Sequence, residues 1–255
     1  MHTTKLAAAL LVVLALVLSV ASARAETVNC TAITTLPAVI TEPGSYCFTG
    51  DLEASITSGL AINIRTDNVV LDLNGFRLSG LAAGLGTQAI GIIAVNLQNI
   101  TIRNGTISGF LTGIWLIAAG GVSRGYVVEN IRAAQNTHIG IDVGGLGTIV
   151  RNNQVVATGG TTFFGTNADV FGIVVFGDGP RVLNNDVTRI VKVGLGRASG
   201  IFTNAFGALL VNNRITEADT GIEFGFTGTG KYRDNLTFGV GRPYSAGGLD
   251  AGNNN

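Results

Sequence analysis

Four charged residues of alternating sign recur at equivalent points along the chain: Asp72, Arg103, Glu129 and Arg151. Set one above another about 5 Å apart, opposite neighbours attract, and each pair contributes roughly 0.2–1 kcal/mol as a cross-strand ladder. The same residue types also suit catalysis. An arginine fork grips a carboxylate through two parallel hydrogen bonds, and Asp72 and Glu129 offer the oxygen donors that Ca²⁺ prefers. Trp115, the only tryptophan, and Asp142 share a second recurring slot. An aromatic platform beside a carboxylate suits a sugar ring. The insertion around Gly120-Gly121 could equally fold over the indole and bury it. Asp142 and Glu223 lie three repeats apart, about 14 Å, beyond the ~5–9.5 Å of paired glycosidase carboxylates. His138 is the only histidine besides His2. It is either a general base close to Asp142 or a turn residue without a task. A single histidine cannot form a multi-histidine metal site.

Positioning these residues requires a repeat, and two short signatures alternate along the chain. One is Gly-Ile, at Gly91-Ile92, Gly113-Ile114, Gly140-Ile141, Gly172-Ile173, Gly200-Ile201 and Gly221-Ile222, with Ala61-Ile62 in the same slot. The other is apolar-x-Asn, as in Ile102-Arg103-Asn104, Val150-Arg151-Asn152-Asn153 and Leu210-Val211-Asn212-Asn213. Successive Gly-Ile sites are 22, 27, 32, 28 and 21 residues apart. Within each signature the residues alternate with period two, as strands do, so Ile141 and Val143 point inward while Asp142 points outward. Glycine is expected at the bends, where φ is positive. Asparagine tolerates the left-handed region and turns the chain, and stacked asparagines can form an internal amide ladder. No stretch after Glu26 keeps a 3.6 period over three turns. A slot recurring about every 26 residues predicts a β-solenoid with three strands per coil.

That register predicts three outward columns. After Gly-Ile comes Asn63, Ile93, Trp115, Asp142, Val174, Phe202 and Glu223. Before the asparagine comes Asp72, Arg103, Glu129, Arg151, Leu183, Val211 and Arg233. After the asparagine pair comes Gly75, Thr106, Arg132, Gln154, Asp186, Arg214 and Leu236.

The rest of the composition narrows the classes. Of 255 residues, 37 are glycine, and charged residues reach 13%, against a typical ~25%. Sixteen basic residues balance sixteen acidic ones, which argues against a nucleic-acid partner. Lys5, the apolar run 6–20 and Ala23-Arg24-Ala25 read as a signal peptide over residues 1–25. Export, secreted or periplasmic, follows as an expectation, with no membrane span after processing and a monomeric product. Cys30 and Cys47, in an oxidising compartment, then read as a disulfide tying an N-terminal cap over 26–60. The solenoid proper is expected over 61–238, with a Gly/Asn-rich tail over 239–255.

Val69-Val70-Leu71-Asp72-Leu73-Asn74-Gly75-Phe76, the Gly-Ile sites and the asparagine pairs together resemble the right-handed parallel β-helix repeats of the pectin-lyase-like superfamily. They resemble in particular its exported bacterial members without an assigned activity, and the resemblance covers roughly residues 45–240. It implies an all-β, single-stranded, right-handed parallel β-helix of about seven coils. On function it implies little, because the scaffold hosts lyases, hydrolases, esterases, epimerases, adhesins and binding proteins. The polygalacturonase motifs Gly-His-Gly and Asn-Thr-Asp do not occur. Asp169-Val170-Phe171-Gly172 and Gly241-Arg242-Pro243-Tyr244 resemble pectin methylesterase fragments. The companion Gln-Asp of that family is here Gln135-Asn136, and we read the match as chance.

Two readings follow. The first is a non-catalytic exported protein binding polysaccharide or cell-envelope glycan through Trp115, Asp142, Arg103 and Arg151, without a cofactor. The second is a lyase acting on uronate polymers by β-elimination. There, as the resemblance implies, Arg103 or Arg151 removes the C5 proton, Glu129 assists, and Asp72 and Glu129 hold Ca²⁺. A periplasmic metal-delivery role is disfavoured by the single mature histidine and the single methionine, Met1.

Overall fold

A computed structural model describes residues 29–120 and 123–255. The expected signal peptide lies outside the described residues. The described residues wind through 23 strands, and every pairing between these strands is parallel. The one helical element among the described residues is a single 3₁₀ turn at Leu81–Ala83. Each strand pairs with its counterpart one winding on, which builds three long parallel sheets around a common core. The protein is a right-handed parallel β-helix.

The core is a set of apolar stacks. Ile62, Ile92, Ile114, Ile141, Ile173, Ile201 and Ile222 superpose from one winding to the next, and all are fully buried. Leu71, Ile102, Val128, Val150, Val182 and Leu210 make a second buried stack on the next flank. β-branched side chains fit these pleated, two-sided environments well.

The glycines preceding the isoleucines serve a purpose other than the expected one. None of the six adopts a positive φ. Instead a Cβ on Gly91, Gly113, Gly140, Gly172 or Gly200 would stand 2.4–2.9 Å from the carbonyl oxygen of the glycine one winding on. Close approach between coils therefore selects glycine here. The positive φ falls to the first asparagine slot of each repeat, at 53–56° for Asn104, Asn130, Asn152, Asn184 and Asn212.

The second asparagine forms the amide ladder inside the coil. Asn153, Asn185, Asn213 and Asn235 each donate through Nδ2 to the next asparagine's side-chain oxygen at 3.0–3.1 Å, ending at Asn254. Each of these four also donates to a backbone carbonyl of the preceding winding.

The first two predicted columns match the observed register at every position from Asn63 to Glu223 and from Asp72 to Arg233. The third differs at one place. Thr106 pairs with Arg77, not Gly75, because Asn74 and Gly75 take left-handed conformations and make a tight turn before the strand resumes. Segments beyond the expected limits also contribute windings. Thr31–Ile33 and Ala38–Ile40 pair in parallel with Gly44–Phe48 and Leu60–Ile64, within the segment expected as a cap. At the other end, Gly248–Asp250 pairs in parallel with Gly230–Arg233. The Cys30–Cys47 disulfide is formed.

Candidate functional site

Strand alternation pushes the residue after each Gly-Ile outward, and register lines these residues up along the rod. Trp115 and Asp142 are direct neighbours in this column, followed by Val174, Phe202 and Glu223. The flank is less open than expected: Ile93 and Val174 are buried, and Trp115, Asp142 and Phe202 are partly exposed. The Trp115 indole N–H donates to the Asp142 carboxylate. Crowding by neighbouring side chains outweighs that bond and pushes the Asp142 pKa up to about 7. An acid that is close to half protonated at neutral pH thus sits on the outside of the coil.

Phe202 anchors an aromatic group two windings beyond Asp142. Its ring centroid lies 5.2 Å from that of Phe171 and 6.2 Å from that of Phe176. Trp115, Phe171, Phe202 and Phe176 therefore form an aromatic strip along one flank, interrupted by a carboxylate.

Past Phe202 the flank becomes ionic. Arg197 bonds Asp169 through both Nε and an Nη nitrogen, at 3.1 and 2.7 Å, and also pairs with Glu223. The Ser199 hydroxyl donates to Glu223. The guanidinium holds the Asp169 carboxyl below its usual range, and its hydrogen bonds to Asp169 raise the Arg197 pKa in turn. Arg197 did not stand out in the sequence, and Asp169 did so only within the Asp169-Val170-Phe171-Gly172 fragment read as a chance match. Their signal was available: opposite charges five residues before the column position in consecutive windings, at Val174 and Phe202. His138 engages this end of the flank. It hydrogen-bonds the Asp169 backbone, lies 4.6 Å from Phe164, and burial lowers its pKa.

On the next flank the four residues of the predicted ladder come together as two ion pairs. Arg103 Nε lies 2.8 Å from Asp72 Oδ2, and an Arg151 Nη nitrogen lies 2.6 Å from Glu129 Oε2. Asp72 is buried and accepts further bonds from Asn104 Nδ2 and the Asn74 backbone N–H. This arrangement does not fit Ca²⁺. The two carboxylates stand two windings apart with Arg103 between them, and each already holds an arginine. No cluster of three or more potential metal ligands exists among the described residues.

No protein-family model matches the sequence, and a search of curated proteins gives no match. A comparison with solved structures does give matches. An alginate lyase from Paenibacillus sp. str. FPU-7 superposes with a TM-score of 0.58 at 18% identity, covering 83% of this chain and 86% of that one. The Dettilon tailspike protein gp208 gives 0.32 at 12% identity, over 88% of this chain and 60% of that one. The likeness to the alginate lyase is one of fold. It extends the parallel winding along most of the chain and assigns no activity to its side chains.

Proposed function

We propose that this is an exported β-helix protein that binds polysaccharide or cell-envelope glycan along the flank carrying Trp115, without catalysing its cleavage. One observation carries the reading: partly exposed aromatic rings and a hydrogen-bonding carboxylate share a single line parallel to the rod axis. Aromatic faces stack on sugar rings, and a carboxylate accepts bonds from their hydroxyls. The charged ladder on the next flank is neutralised in pairs, Asp72 with Arg103 and Glu129 with Arg151, and no cluster of three or more potential metal ligands exists among the described residues. The disulfide supports export, because such bonds persist in oxidising compartments.

A second reading, elimination on a uronate polymer with Arg103 or Arg151 as base and Glu129 assisting, draws on the shared fold of the alginate lyase. It requires an arginine to leave its carboxylate partner. Incubation with alginate and with pectate separates the two readings through the ultraviolet absorbance of unsaturated uronates. The binding reading expects none, together with retention of the protein on at least one glycan of a broad array. Product formation that disappears in Arg151→Ala would establish the lyase and end the non-catalytic reading.

A further inference from the structure

The geometry points to an uncharged, hydroxyl-rich glycan as the ligand of the Trp115 flank, lying along the rod from Trp115 to Phe202 with Asp142 between the two rings. This inference rests on the glycan-binding reading above and goes beyond it by naming the class of polymer.

The charge of the flank decides the class. Thr112–Ile117, Ile139–Gly144, Val170–Asp178 and Ala198–Phe206 are four consecutive strands of this sheet. Their only charged residues are Asp142 and Asp178, both acidic. The cation at the edge, Arg197, is already held by Asp169 and Glu223. A uronate laid on this surface would meet no free cation and, at neutral pH, would face like charge on the ionised fraction of Asp142, so each of its own carboxylates would lose water without gaining a partner. A neutral sugar meets the opposite situation. Its apolar ring faces cover Trp115 and Phe202, while its hydroxyls donate to Asp142, whose hydrogen bond comes from a single indole.

Spacing agrees with charge. Trp115 and Phe202 are three rungs apart, about 14 Å at ~4.8 Å per winding, and one winding is close to the length of one pyranose unit. A chain running parallel to the rod therefore presents one ring to each aromatic platform and another to Asp142.

Trp115 is the only tryptophan, so its fluorescence reports this site alone. The test titrates the protein with cellohexaose, mannohexaose and chitohexaose, and separately with hexamannuronate and hexagalacturonate. At least one neutral hexamer should shift the Trp115 emission saturably, and neither uronate should do so at the same concentration. By calorimetry, Phe202→Ala and Asp142→Leu should each weaken that hexamer about tenfold, while Arg214→Ala on another flank leaves it unchanged. Uronate binding that shifts Trp115 emission overturns the neutral-ligand assignment and leaves the glycan-binding reading standing. Glycan binding that is silent in fluorescence and indifferent to both substitutions moves the site elsewhere and ends this inference. No binding by either class ends both.

Discussion

At the residue scale, Asp142 couples the exposed flank to pH. Its carboxyl titrates from about 3.8 in the unfolded chain to about 7 in the fold. Between these values the folded chain holds a proton that the unfolded chain has released, so stability falls as pH rises from about 4 to about 7 and levels off above. Of the other titratable groups on this flank, Glu223 is engaged with Arg197 and His138 with Asp169, and Asp178 lies at the end of its strand. Urea unfolding at a series of pH values should therefore show a slope over that window in the wild type that Asp142→Asn removes. At pH 9 the substitution should raise stability by roughly 2–4 kcal/mol, the linkage value of that shift. An unchanged slope would place the burial cost on another group. Asp72 presents the contrasting case, a buried carboxylate whose hydrogen bonds are made. Asp72→Ala strands the Arg103 guanidinium and the Asn104 amide and should cost about 2–4 kcal/mol in the same assay. Arg151→Ala, on the more open Glu129 pair, should cost about 1 kcal/mol or less.

At the scale of the element, two asparagine ladders run side by side with unequal stakes. Asn213 is fully buried; its oxygen accepts from both the backbone and side chain of Asn185, and its amide donates to Val182 and Asn235. Asn213→Ala leaves several of these groups unsatisfied at once and should lower stability by about 3 kcal/mol or more in thermal or urea unfolding. Asn184, one residue before Asn185 in the preceding winding, bonds exposed amides and contributes mainly its left-handed φ of 56°. Asn184→Ala should cost only about 1 kcal/mol. Such elements were legible in the sequence because a recurring residue type marks a recurring backbone state. The Gly-Ile and Asn positions gave the register of the first two columns, and hence the neighbourhood of Trp115 and Asp142. What they did not give was the physical reason for the glycines. A glycine chosen for close packing and one chosen for positive φ look alike in a sequence, and only the carbonyl 2.5 Å from a Cβ on Gly172 separates them. The turn at Asn74-Gly75 shifted one column because a local two-residue detour leaves no periodic trace. The raised pKa of Asp142 was hidden for a different reason: burial, its cause, is a property of the folded chain.

At the scale of the whole molecule, each sheet strand pairs only with its counterparts one winding before and after, so stability is close to a sum of nearest-neighbour terms. The two ends carry the unpaired edges, and each is closed differently. At the C-terminal end Asn254 caps the amide ladder, and Tyr232 and Tyr244 stack with centroids 4.7 Å apart. At the N-terminal end the Cys30–Cys47 bond ties the residue before Thr31–Ile33 to the strand Gly44–Phe48, against which that first strand lies. Its contribution on the chain-entropy view is about 3 kcal/mol for a loop of this length. In a one-dimensional stack that contribution acts where the bond is. Reduction should thus release the first winding while the centre stays intact. In hydrogen exchange, the amides of Thr31–Ile33 and Gly44–Phe48 should lose protection by up to about two orders of magnitude. Those of Ile139–Gly144 should keep theirs, and Trp115 emission should not move. Loss of protection along the entire rod on reduction would mean that its windings unfold as one unit, and that the glycan binding proposed at Trp115 depends on a disulfide several windings away.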